Sequence, residues 1–244
     1  MPLRTRRRLR HLCGVTSNAH PQPPGQRRDA PRSALSCLFI GNSFTARNDV
    51  PGLIESLAEF HGARLEHRLI SAGGASLRRH WNDGAALKAM QEKRYDYVVL
   101  QEQSTLPIKN AKRTHENIRL FDGAIRDSGA AMALYLTWAR KHAPESQKAL
   151  TDVYTSIGAE LGATIIPVGV AWDRFLAQHA HPVLHDKDGS HPTLAGSYLA
   201  ACVFFAVLFG RSPVGTPSTL KGVAPADVKL LQETAWTVAS AGGT

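Results

Sequence analysis

Two short segments far apart in the chain carry the side chains of a nucleophilic catalyst. Gly41-Asn42-Ser43-Phe44 follows the apolar run Leu38-Phe39-Ile40, and Asp188-Gly189-Ser190-His191 precedes a long apolar segment. A serine hydroxyl becomes a useful nucleophile when a neighbouring base takes its proton. A histidine serves as that base when a carboxylate keeps its other ring nitrogen protonated. Ser43, His191 and Asp188 supply one of each, and Asp188 and His191 are close enough in sequence to meet across a tight turn. Taken singly, Ser43 reads as a turn or cap serine, and the later pair as an Asx-type turn with a capping histidine. The three together, in the chain order Ser, Asp, His, point to acyl transfer.

Acyl transfer also needs donors for the oxyanion of its tetrahedral intermediate. The Ser43 N–H is one candidate, at the entrance to a helix. Gly73-Gly74 either allow close backbone approach to a ligand or are ordinary turn glycines. Gln101 and Gln103 both carry side-chain amides that could donate to an oxyanion, or could bind loop backbone instead. Trp138 and Trp172 line an acyl or alcohol pocket, or pack in the core. Arg78, Arg79 and His80 follow the glycines and contact a polar substrate or face solvent. His179, His181 and His185, with Asp186, could hold a metal, but their spacing fits no zinc pattern. No metal or cofactor is expected.

Residues of this kind must be held by a frame, and the chain alternates strand-like and helix-like patterns from residue 36 onward. Strands are expected over Ser36–Ile40, Arg64–Ile70, Tyr95–Leu100, Ala131–Thr137 and Thr164–Val168, several apolar throughout, as strands covered on both faces are. Helices are expected over Val50–His61, Ala85–Lys93, Lys112–Ser128, Glu145–Leu161, Ala171–His179, Thr193–Phe209 and Pro225–Ala239. Such alternation makes right-handed βαβ units and a parallel sheet with helices on both sides. Ligands bind beyond the carboxyl ends of such strands. Ser43, Gly73-Gly74, Gln101 to Gln103 and Trp138 fall at four of those ends.

The net charge is +9, yet residues 1–36 hold eight arginines and one aspartate, which leaves +2 for the rest. That arm, rich in Arg, Pro, Ser and Gln, reads as a disordered extension over residues 1–35, before one folded domain over 36–244. It could attract nucleic acid or a membrane surface, but the near-neutral body argues against nucleic acid as the main partner. No apolar stretch follows the arginines as an export signal requires, so a cytoplasmic location is the default expectation. No run reaches the ~20 apolar residues that span a membrane. Cys37 and Cys202 fall in a strand and an apolar helix, where buried, reduced thiols are expected.

Four blocks, in order, resemble the SGNH hydrolase superfamily, the GDSL-type esterases and lipases. They are Gly41-Asn42-Ser43-Phe44, Ser71-Ala72-Gly73-Gly74-Ala75-Ser76, Leu100-Gln101-Glu102-Gln103-Ser104 and Asp188-Gly189-Ser190-His191-Pro192-Thr193. The similarity spans about residues 36–210. It implies a flavodoxin-like three-layer α/β/α sandwich, with a five-stranded parallel sheet in the order 2-1-3-4-5. It also implies ester hydrolysis by Ser43, Asp188 and His191, with an oxyanion hole from the N–H groups of Ser43 and Gly74. The third block departs from the family's usual Gly-x-Asn-Asp, so that Gln103 stands one methylene longer in place of the asparagine donor. Gln101 and Trp138 remain candidates for contact with substrate. A small or carbohydrate-linked ester, acetyl among them, is the expected substrate. The alternative is a catalytically silent domain that binds a carbohydrate or other ligand on the same fold.

Overall fold

The computed structural model describes residues 32–217 and 220–242. Most of the expected arginine-rich arm lies outside these residues. Five strands, β1 (Ala34–Gly41), β2 (Arg64–Ser71), β3 (Tyr97–Leu100), β4 (Ala131–Tyr135) and β5 (Thr164–Ile166), form one sheet in the order 2-1-3-4-5. Every pairing is parallel. The first strand begins two residues earlier than expected, because Leu35 is buried in the core and Ala34 pairs with Arg64. Side chains alternate across β1. Leu35, Cys37 and Phe39 enter one apolar cluster, and Leu38 and Ile40 enter the other. The edge strand β2 is only half covered and carries Arg64, Glu66, His67 and Arg68, charges that discourage edge-to-edge pairing.

Among the described residues, ten α-helices surround the sheet: α1 (Ser43–Ala46), α2 (Val50–Phe60), α3 (Leu77–Asp83), α4 (Ala85–Glu92), α5 (Leu106–Lys109), α6 (Ala111–Ser128), α7 (Gln147–Leu161), α8 (Val168–Gln178), α9 (Leu194–Phe209) and α10 (Pro225–Ser240). Residues of α2, α8, α9 and α10 share a cluster with one face of β1, and residues of α3, α4, α6 and α7 with the other. Helix α9 is apolar on every side because α2, α8 and α10 all pack on it. Two boundaries differ from expectation for a common reason. Pro167 cannot donate to a ladder, so β5 ends at Ile166, and α8 starts at Val168 rather than Ala171. The short helices α1, α3 and α5 were not expected, and all three lie at the carboxyl ends of the strands. Among the described residues, no helix is long and apolar enough to cross a membrane.

Candidate active site

The strand order places the early serine beside the late turn. Ser43 is the first residue of α1, whose N-cap is Asn42. The Asn42 side chain accepts the Phe44 N–H. Ser43 Oγ lies 2.8 Å from His191 Nε2, and His191 Nδ1 lies 2.5 Å from Asp188 Oδ2. With the carboxylate on Nδ1 the proton belongs there, which leaves Nε2 as an acceptor for the serine hydroxyl.

The turn that carries His191 is held from several directions. Asp188 Oδ1 accepts the backbone N–H groups of Ser190 and His191, each at 2.9 Å. Gly189 takes a φ of +67°, a conformation costly for a residue with a Cβ. The Gly189 carbonyl accepts the Lys141 N–H, and the Ser190 carbonyl accepts Trp138 Nε1–H at 3.0 Å. Hydrogen bonds from the His191 ring and from the backbone N–H groups of Ser190 and His191 hold the Asp188 carboxyl well below the usual carboxylate range, although the side chain is half exposed. A row of rings underlies the turn. His191 meets the Phe44 ring edge-on at 5.6 Å, Phe44 stacks on Trp138 at 4.6 Å, and Trp138 stacks on Trp172 at 4.0 Å.

Three loops at the sheet's carboxyl end are tied into a closed triangle. Asn42 Nδ2 donates to the Ala75 carbonyl at 3.0 Å, joining the loop after β1 to the loop after β2. The Leu77 N–H donates to Glu102 Oε1 at 3.0 Å, joining the loop after β2 to that after β3. The Asn42 N–H donates to Gln101 Oε1 at 2.9 Å, closing the figure. His80 Nε2–H reinforces it by donating to the Gly41 carbonyl at 2.7 Å. The N–H groups of Ser43 and Gly74 make no hydrogen bond among the described residues. Gly74 is exposed, and its φ of +63° again favours glycine.

The two glutamines have different surroundings. Gln101 is buried and occupied at both ends, accepting also from Thr45 Oγ1 and donating to the Glu102 carbonyl. Burial withdraws it from solvent, and its place as a substrate contact is corrected to a loop tie. Gln103 is partly exposed. Its Oε1 accepts the N–H groups of Thr105 and Leu106 and the Thr105 hydroxyl, capping α5, while its Nε2 has no partner among the described residues. Trp138 is likewise corrected. It is 2% exposed, sandwiched between Phe44 and Trp172, so it supports the histidine turn rather than lining an open pocket. His80 neither faces solvent nor reaches a substrate, since it is buried against Gly41. His185 packs on Trp172 and bonds the Ala139 carbonyl, and burial holds it below the ordinary imidazole value.

Sequence reasoning passed over Glu102, Asn117 and the tying role of Asn42. Glu102 is fully buried, which pushes its carboxyl above the ordinary value. The donors Asn117, Gln103 and Leu77 pull it back. Its signal was available: a carboxylate two residues beyond a central strand of four apolar residues has to find donors in its own neighbourhood.

No protein-family model and no curated protein matches the chain. Solved structures do. A protein from Slackia heliotrinireducens assigned as an SGNH hydrolase is 26% identical. The match covers 70% of this chain and 97% of that one, with a TM-score of 0.62. A DUF4886 family protein from Bacteroides uniformis is 23% identical over 86% of this chain and 96% of that one, with a TM-score of 0.71. A catalytic mutant of an acetylxylan esterase from Geobacillus stearothermophilus is 16% identical over 76% and 99%, with a TM-score of 0.56. The chain has the SGNH hydrolase fold, and its structural neighbours include hydrolases and esterases.

Proposed function

We propose that the protein is a serine esterase in which Ser43 is the nucleophile, His191 the general base and Asp188 its orienting carboxylate. The observation that carries this is the continuous chain from Ser43 Oγ through both nitrogens of His191 to Asp188 Oδ2. His191 Nε2 takes the hydroxyl proton as Ser43 Oγ bonds to the ester carbonyl carbon. The carbonyl oxygen becomes an oxyanion, met by the N–H groups of Ser43 and Gly74 and by Gln103 Nε2, donors without a partner among the described residues. Collapse of this intermediate breaks the bond to the alcohol, which leaves with the proton from His191. Water then repeats the sequence on the acyl-enzyme and releases the acid. A short acyl group, acetyl above all, on a carbohydrate or other small alcohol is the proposed substrate class. The fold likeness to an acetylxylan esterase supports this choice.

Purified protein and Ser43→Ala, given p-nitrophenyl acetate and butyrate and a fluorophosphonate probe, test the assignment. Turnover and a mass-spectrometric label on Ser43, both lost in the variant, are expected. Gln103→Ala should lower kcat by about 100–1,000-fold, severe but milder than Ser43→Ala. Folded protein that neither turns over nor takes the label overturns the esterase assignment in favour of a ligand-binding domain. Faster turnover of long-chain than of acetyl esters overturns the short-acyl part alone.

A further inference from the structure

We propose that Glu102 is a positioning residue whose carboxylate, shared between two loops, sets the placement of the Gln103 amide at the oxyanion. The inference rests on the esterase assignment above and deepens it. Glu102 Oε1 accepts the Leu77 N–H at 3.0 Å and the Gln103 N–H at 2.7 Å, so one oxygen clamps the start of α3 to the loop after β3. Oε2 accepts Asn117 Nδ2 at 2.7 Å, and Asn117 Oδ1 accepts Arg78 Nε at 3.2 Å. A fully buried carboxylate is a costly way to tie two loops together. The cost is offset only where an acceptor-only group is needed, and here three donors converge on it. An amide in its place would turn its NH2 against a donor.

Gln103 is thereby held at two points. Glu102 fixes its backbone N–H, and the N–H groups of Thr105 and Leu106 fix its side-chain oxygen. These bonds anchor the residue at its backbone and at its side-chain oxygen, and leave Nε2 as the group free to meet a ligand. Releasing the backbone point moves the donor without removing it. The effect therefore falls on the transition state, where donor alignment counts, rather than on ground-state binding.

The test uses three variants of the full chain: Glu102→Gln, Asn117→Ala and the double substitution E102Q/N117D. In the single glutamine variant, kcat on p-nitrophenyl acetate should fall about 10- to 100-fold with KM within about twofold, less than the loss of a whole oxyanion donor. Asn117→Ala keeps the carboxylate and deletes one neutral donor, so kcat should fall about 3- to 10-fold. The double variant exchanges donor and acceptor between the two positions. The new amide donates to the new carboxylate, which still accepts from Arg78. Every hydrogen bond is matched again, and kcat should return to within about threefold of wild type. The Gln103 and Leu77 backbone amide protons, shifted downfield by a charged acceptor, should move upfield in Glu102→Gln.

An unchanged kcat in a folded Glu102→Gln overturns the proposal. So does an effect confined to KM, or a double variant that folds without recovering kcat. If wild type itself shows no turnover and no fluorophosphonate label, the esterase assignment has failed instead. The amide protons then still judge the clamp, and a Gln103 signal indifferent to Glu102→Gln overturns it.

Discussion

Gln101→Leu separates a residue that holds the Ser43 loop from one that touches substrate. Gln101 is 1% exposed, and its Oε1 accepts the Asn42 N–H at 2.9 Å and the Thr45 hydroxyl at 3.1 Å. Leucine fills a similar volume and offers neither acceptor. The Asn42 N–H is backbone, buried and unable to turn away, so orphaning it costs about 1–3 kcal/mol. The Thr45 hydroxyl rotates and adds less, which puts the total at about 2–4 kcal/mol. That is a large fraction of the stability of an ordinary domain. With an m-value of about 2 kcal/mol/M, the urea midpoint should fall by about 1–2 M at unchanged slope. Activity falls too, since Asn42 precedes Ser43, so the midpoint is the discriminating reading. A shift under about 0.3 M together with a raised KM would refute the structural account and return Gln101 to the substrate.

Asp188→Asn should lower kcat by up to about 10⁴-fold, because its NH2 would face Nδ1 and drive the proton to Nε2, where the base is needed. A steady-state rate within tenfold of wild type would show that the carboxylate does not set the tautomer. The depressed carboxyl of Asp188 contributes stability above its ordinary value of 3.8, and this is lost as pH falls below it. Acid unfolding followed by circular dichroism should therefore be less steep in the variant between pH 4 and 2, by a margin reduced by the group's exposure. Gly74→Ala meets no atom within 4 Å, so only its left-handed backbone penalises it, by about 1–2 kcal/mol. Calorimetry should show a Tm lower by about 2–8 °C, and no change would mean that the loop relaxes freely. Burial pushes the Cys37 thiol up to about 12 and raises Cys202 as well, so neither should take iodoacetamide at pH 8 until the protein unfolds.

The frame was legible in the sequence because each strand is a short apolar run and each long helix has an apolar face. Leu38-Phe39-Ile40 and Tyr97-Val98-Val99-Leu100 leave little choice about where the buried strands lie. The short helices α1, α3 and α5 were not legible, since their ends are satisfied from outside the local pattern. Helix α5 is capped by Gln103, two residues ahead of its N-cap Thr105, and glutamine in a loop is no start signal. The choice between Gln101 and Gln103 could not be read from alternation, because residues two apart along an extended run face the same side. Burial and partners separate them instead. Trp138 was ambiguous because its surroundings come from α1, α8 and the histidine turn, and no local pattern records that meeting.

Asn42, Gln101, Gln103 and Asn117 are primary amides in the network that ties the loop of Ser43 to its neighbours, and three of the four have a partner at both ends. Asn42 accepts from Phe44 and donates to Ala75, Gln101 accepts from Asn42 and donates to Glu102, and Asn117 accepts from Arg78 and donates to Glu102. Gln103 alone among them keeps an NH2 without a partner in the described residues, and it keeps it because its oxygen is spent capping α5. The extra methylene sets where that NH2 lies. An asparagine can make the same forward bonds, as Asp188 does to the N–H groups of Ser190 and His191, but its NH2 then ends one methylene nearer the backbone. Gln103→Asn should therefore lower kcat nearly as far as Gln103→Ala, by about 100-fold or more, while the Thr105 and Leu106 amides stay protected from hydrogen exchange. Asparagine that supports wild-type kcat with those amides still protected would show that the methylene is incidental to the chemistry.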